Sequence, residues 1–78
     1  MRKKELKVIV SFHTTAEAIA MENACRKAGI PGRLIPVPRE ISSGCGLSWA
    51  MPADWDGDIG QWMREMGLGW EQFGKYLI

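Results

Sequence analysis

The residues with the most chemistry in this sequence lie in one short segment, from Pro36 to Gly46. Cys45 stands there between two glycines, and an arginine and two serines precede it: Arg39, Ser42 and Ser43. A thiolate is a strong nucleophile, and glycines let backbone N–H groups approach an anion closely. The segment therefore predicts a site in which Cys45 reacts, while the flanking residues stabilise its thiolate or shape the loop: Arg39, Ser42, Ser43, Gly44 and Gly46.

The same residues also fit a purely structural role. Cys45 would then be a small apolar plug at the start of a strand, since cysteine is among the most buried residue types. Arg39 would pair with Glu40 on the surface, and Ser42 and Ser43 would close a turn. The length of the segment favours function, because strand connections usually need about 2–5 residues and longer ones often bind or react. The residues alone leave both interpretations of Cys45 open.

The remaining cysteine and histidine predict no second site. Cys25 shares a helical face with Met21, which favours a buried structural thiol. No Cys-x-x-Cys motif occurs, and Met51 stands six positions after Cys45, where a cysteine phosphatase would carry arginine. One His and two separated Cys lack the ligand spacing of a zinc site. We therefore expect no metal and no cofactor.

Composition places the chain among small globular domains. The 78 residues are 46% hydrophobic and 24% charged, which suits a single domain over residues 1–78. A net charge of +1 lacks the basic excess expected of a nucleic-acid-binding protein. The sequence shows neither a signal-peptide core nor an apolar run that would span a membrane, and no disulfide framework. These features predict a cytoplasmic protein that binds neither nucleic acid nor membrane.

The first half of the chain predicts a strand, a helix and a second strand. The apolar residues of Lys7–Phe12 indicate a strand. The sequence from Thr14 to Glu17 has the form of a capping box, and apolar residues at helical spacing follow it: Ala18, Met21, Cys25 and Ala28. Gly29 and Pro31 end this helix, and Gly32–Val37 indicates a second short strand.

The second half repeats the pattern. Alternation over Leu47–Met51 predicts a third strand, and Pro52 ends it. A helical stripe then includes Trp55, Ile59, Trp62, Met63 and Met66, with three aspartates at its start: Asp54, Asp56 and Asp58. Residues 70–78 predict a last strand. This order predicts an α+β, ferredoxin-like split βαβ fold (βαββαβ), an antiparallel four-stranded sheet with two helices on one face.

The predicted topology also places the loop. Strands one and three should be adjacent and antiparallel. Cys45 should then lie at the edge where strand one ends and helix one begins, with His13 and Thr14 as possible neighbours. The helix dipole and Arg39 would favour a thiolate there, while His13 would either move a proton or only fill the strand end. Cys25, near the far end of the helix, should be too distant from Cys45 for a disulfide.

The run from Ala28 to Leu47 resembles a known family. This run, with the segment Pro36-Val37-Pro38-Arg39-Glu40-Ile41-Ser42-Ser43-Gly44-Cys45-Gly46-Leu47, resembles a family of small bacterial proteins described as selenium/sulfur carrier-like. The stretch Phe12–Thr15 and the chain length agree with this resemblance. The resemblance implies that Cys45 accepts sulfur or selenium as a persulfide-type adduct. It further implies a sulfur or selenium donor protein and an acceptor protein as partners.

The leading hypothesis is therefore a carrier with a sulfurtransferase-like role rather than a true catalyst, because no acid, base and substrate pocket can be assembled from the sequence. The alternative is a non-enzymatic protein-interaction or thiol-regulatory module in which Cys45 is structural. A ferredoxin-like fold serves both functions. A marginal core and four tryptophans also make a homodimer plausible.

Overall fold

The computed structural model describes residues 4–41 and 44–78. Six elements follow one another in the order expected: β1 (Leu6–Ser11), α1 (Thr15–Ala28), β2 (Arg33–Pro36), β3 (Leu47–Pro52), α2 (Ile59–Glu65) and β4 (Gln72–Leu77). The strands form one sheet in the order β2-β3-β1-β4, and every neighbouring pair is antiparallel. This confirms the predicted ferredoxin-like arrangement and the pairing of strands one and three.

The two faces of the sheet carry different clusters. Both helices pack on one face, where alternate residues of β1 and β3 meet buried residues of α1 and α2; the helix-face cluster comprises Val8, Val10, Phe12, Ala18, Met21, Cys25, Ile30, Trp49, Met51, Ile59 and Met63. The other face carries a smaller open-face cluster, formed by Ile9, Ile41 and Ala50 with Ile35, Val37, Tyr76 and Ile78 packed against them. Strand alternation therefore separates the apolar residues into two clusters.

Helix α1 begins and ends where local signals place it. The Thr14 hydroxyl accepts the Glu17 N–H at 3.2 Å, and Gly29 adopts a left-handed conformation at the C-terminus. Ala28, expected on the buried face, is exposed instead. The chain turns away at Gly29, and Ile30, whose N–H donates to the Cys25 carbonyl, occupies the core there.

Helix α2 is shorter than the stripe of apolar residues predicts. Asp58 caps it by accepting the Gln61 N–H at 3.1 Å, so Trp55 lies in the preceding turn and packs against the helix-face cluster from outside the helix. Met66 at the other end is exposed because the helix closes at this residue. Within the described residues, neither helix has the length and apolar character needed to cross a membrane.

Candidate functional site

A hydrogen bond joins the two ends of the β2–β3 loop. The Val37 N–H donates to the Gly46 carbonyl at 3.0 Å, which joins the two ends of the loop directly beyond the strand pair. Gly46 has a φ of 77°, a left-handed conformation that glycine adopts without strain. The loop is therefore fixed at its base, and Cys45 lies one residue from that base.

Ile41 holds the first half of the loop against the sheet. A turn formed by the Ile41 N–H and the Pro38 carbonyl, 3.0 Å apart, directs this side chain into the open-face cluster, where it is 6% exposed. Cys45, in contrast, packs against the helix-face cluster. Ile41 and Cys45 therefore pack on opposite faces of the sheet, and Cys45 lies on the face that carries the helices.

The Cys45 thiol is partly buried and is engaged by the backbone that follows it. Its Sγ lies 3.4 Å from the Leu47 nitrogen, whose N–H donates to sulfur, and 3.4 Å from the Leu47 carbonyl oxygen, which accepts the S–H. The N–H contact persists when the thiol loses its proton, whereas the contact with the carbonyl needs the proton. The Leu47 N–H is therefore a donor that a thiolate at Cys45 would retain.

The loop meets the end of β1 next to the first turn of α1. A Cβ at position 44 would lie 3.4 Å from the His13 carbonyl oxygen, which places the Gly44 backbone against that of His13. Thr14 follows as the residue that caps α1. The structure thus brings the Cys45 loop, His13 and the positive end of the α1 dipole to the same end of the sheet.

His13 is held by Glu17 rather than by the loop. One Glu17 oxygen, Oε1, accepts the His13 backbone N–H at 2.7 Å and lies 3.2 Å from Nδ1 of the same residue. The other oxygen abuts Gly69, where a Cβ would lie only 2.5 Å away. The predicted capping box would place Glu17 on the Thr14 N–H, whereas the carboxylate accepts the N–H of His13, one residue earlier, and contacts Gly69. The absence of a side chain at Gly69 leaves room for the carboxylate.

Arg39, Ser42 and Ser43 were also predicted as site residues. Arg39 and Glu40 are exposed in the turn before Ile41, and the described residues show neither in an ion pair. Ser42 and Ser43, predicted as loop residues of the site, lie outside the described residues. The described contacts of this loop include Leu47 at the Cys45 sulfur, Gly46 at the loop base and Ile41 in its first half. Ile41 could not be predicted from the sequence because one apolar residue in a loop has no periodicity.

Cys25 has the opposite environment. Its side chain is fully buried in the helix-face cluster, and loss of hydration raises the pKa of its thiol from 9.0 to about 11. No disulfide joins it to Cys45. Across residues 4–41 and 44–78, no three His, Cys, Asp or Glu side chains are grouped so as to hold a metal ion.

Comparison with known proteins identifies the family. Residues 7–75 match the family model described as "putative Se/S carrier protein-like", and the chain belongs to this family. No curated protein and no solved structure matches it.

Proposed function

We propose that this member of the Se/S carrier-like family carries sulfur or selenium on the Sγ of Cys45. The observation that supports this most is the contrast between its two thiols. Cys25 is inaccessible in the core, whereas Cys45 is partly exposed on a loop at the sheet end and receives the Leu47 N–H. A carrier needs one thiol that a donor protein can reach, and Cys45 meets that need.

The transfer needs no external oxidant. The Cys45 thiolate attacks the outer sulfur of a cysteine persulfide on a donor protein, so that an S–S bond forms on Cys45 while the donor's S–S bond breaks. The electron pair of the broken bond returns to the donor as a thiolate, which takes up the proton that Cys45 lost. An acceptor thiolate removes the outer sulfur by the same exchange, and an outer selenium atom transfers with the same electron count.

In this proposal the residues around Cys45 form the surroundings in which its sulfur reacts. The Leu47 N–H donates to sulfur, and the α1 N-terminus contributes positive potential at the same end of the sheet. Gly44 and Gly46 keep the approach to the sulfur unobstructed by side chains, while Arg39 and the serines Ser42 and Ser43 complete the loop that meets the donor. His13 and Thr14 lie next to this loop, at the same end of the sheet.

The test is intact mass spectrometry after incubation with a protein cysteine persulfide. We expect the wild-type chain to gain one sulfur atom and Cys45→Ser to gain none. Cys25→Ala is the matched control, because alanine keeps the buried position apolar, and this variant should gain the atom at the wild-type rate. Release of the atom on adding a thiol acceptor would show that the adduct is transferable.

The opposite result is equally informative. If Cys45→Ser gains the sulfur atom as fast as the wild type, Cys45 is not the carrier residue, and the interaction-module alternative replaces the proposal. Repeating the incubation with a donor loaded with selenium, and comparing the two transfer rates, shows which element Cys45 accepts faster.

A further inference from the structure

The outer edge of β4 offers unpaired backbone groups. Glu5 and Ile78 exchange two hydrogen bonds, Glu5 N–H to Ile78 O at 2.9 Å and Ile78 N–H to Glu5 O at 3.1 Å. Because bonded and non-bonded pairs alternate along antiparallel strands, the N–H and C=O groups of Phe73, Lys75 and Leu77 point away from β1. In the described sheet, β4 is a terminal strand, so these groups face outward.

The side chains along this edge are exposed as well. Phe73 is 41% and Leu77 is 62% exposed, and Glu71 and Lys75 are exposed on either side of Phe73. Neither Glu71 nor Lys75 takes part in an ion pair within the described residues. Strand β4 has six residues and no proline, and its aromatic Phe73 lies between Lys75 and Glu71, the residue directly before the strand. Such an edge is open to another strand.

The other edge of the sheet is protected. Strand β2 has only four residues, ends at Pro36 and is followed by Pro38. Proline has no N–H to donate, and short edge strands resist pairing. An added strand is therefore expected at β4.

We propose that β4 pairs with β4 of a second copy of this chain, antiparallel about a two-fold axis at Phe73. In this register Phe73 faces its own symmetry mate, and Glu71 of each copy faces Lys75 of the other. The two Phe73 residues exchange reciprocal N–H to C=O bonds, while Glu71, which precedes β4, contributes its side chain to the contact. The Glu71 N–H is already used, since it donates to the Ser11 carbonyl at 2.7 Å.

Charge selects this register among the alternatives. An axis at Lys75 would place the two lysines opposite each other, and like charges directly opposite are destabilising. An axis at Gly74 would place Lys75 opposite Phe73, and an axis at Tyr76 would place Lys75 opposite Leu77. In both arrangements Glu71 faces no cation. Only the axis at Phe73 places both charges of each copy opposite their complements.

The central residue is already held in place for this contact. Phe73 packs edge-on against Trp70, with ring centroids 6.2 Å apart, and a Cβ at Gly60 would lie 2.7 Å from its ring. These contacts restrict the ring while Phe73 remains 41% exposed, so a second copy would cover it with little further loss of side-chain freedom.

The test is sedimentation velocity of the full chain over a range of concentrations. We expect wild-type protein to form dimers, and Glu71→Lys and Lys75→Glu each to weaken the dimer at least tenfold, because each change places like charges opposite each other. An equimolar mixture of the two variants restores both complementary pairs and should dimerise. The double variant Glu71→Lys with Lys75→Glu should dimerise on its own.

These variants distinguish the interface from a loss of folding, because two misfolded chains would not recover a dimer on mixing. The proposal is overturned if the wild-type chain stays monomeric throughout the range, or if the single reversals dimerise as well as the wild type. Failure of the mixture and of the double variant to recover the dimer would also overturn it. None of these outcomes depends on sulfur transfer, so they leave the proposed role of Cys45 to its own test.

Discussion

Cys25 lies fully buried between α1 and the sheet, whereas Cys45 lies on a loop whose backbone contacts its sulfur. The two side chains are chemically identical, and only their positions in the fold distinguish them. The helical spacing of Cys25 with Met21 was enough to predict its burial, because a periodic pattern carries that information. Cys45 has no such pattern, so its exposure and its Leu47 contacts could not be derived from the sequence.

The raised pKa of Cys25 predicts a pH dependence of folding. Because the folded chain holds this proton to about pH 11 and the unfolded chain releases it near 9.0, the folded state binds more protons between these values. The contribution to stability is complete below pH 9 and falls as the pH rises toward 11, by about 3 kcal/mol at most.

Urea unfolding of the wild type and of Cys25→Ala at pH 8 and pH 10.5 measures this contribution. All other titratable groups are the same in both chains, so the difference between the two chains isolates Cys25. We expect the wild type to lose more stability than the variant over this interval. An equal loss in both chains would mean that burial of the Cys25 thiol does not govern its titration.

Gly32 is the glycine whose replacement should cost most. Its φ is 148°, and a Cβ there would lie 2.6 Å from the Trp49 ring and 2.7 Å from the Ala50 carbonyl oxygen. Gly32→Ala should lower the free energy of unfolding by about 3 kcal/mol or more. Gly29→Ala is the control: it also has a positive φ but open space around it, and should cost about 1 kcal/mol. Equal costs in urea unfolding would contradict the clash with Trp49.

Some helix boundaries follow from local sequence signals, whereas others depend on tertiary packing. Helix α1 could be predicted to the residue because Thr14, Glu17 and Gly29 act within a few positions of its ends. Helix α2 could not, because three aspartates within five positions could each cap it. The structure uses Asp58, and the packing of Trp55 outside the helix decides between them.

The loop should depend on Ile41 more than on any residue near the thiol. Ile41→Ala removes the side chain that fixes the loop to the open-face cluster, which should cost about 2 kcal/mol of loop stability. The Val37 amide, bonded to Gly46 across the loop base, should then exchange with solvent about 30-fold faster.

Hydrogen exchange measured by NMR on Ile41→Ala tests this, with Ile19→Ala as the control. Ile19 is 48% exposed on α1, and its replacement should change stability by less than about 0.5 kcal/mol. An unchanged Val37 exchange rate in Ile41→Ala would show that the hydrogen bond to Gly46 closes the loop without help from the open face.

For the whole molecule, the order of elements was enough to predict the topology, because two β-α-β units with the preferred crossover leave few arrangements of four strands. The two edges of the sheet could not be compared from the sequence alone. Their difference arises from register: hydrogen bonding to β1 turns the Phe73, Lys75 and Leu77 amides outward, and β2 is too short to expose a comparable row. Register is a property of paired strands rather than of one segment.

Amide exchange across the sheet should reproduce this register. In Lys75→Glu, which we expect to remain monomeric, the Ile9 and Val10 amides should exchange only through global unfolding, because β1 is paired on both sides. The outward amides of β4 should exchange rapidly, while those of Gly74 and Tyr76, which point toward β1, should be protected. Slow exchange at all β4 positions of the monomer would mean that another part of the chain covers this edge. In the wild type at concentrations that favour the dimer, protection should extend to Phe73 first, since this residue forms the central bonds between the two copies.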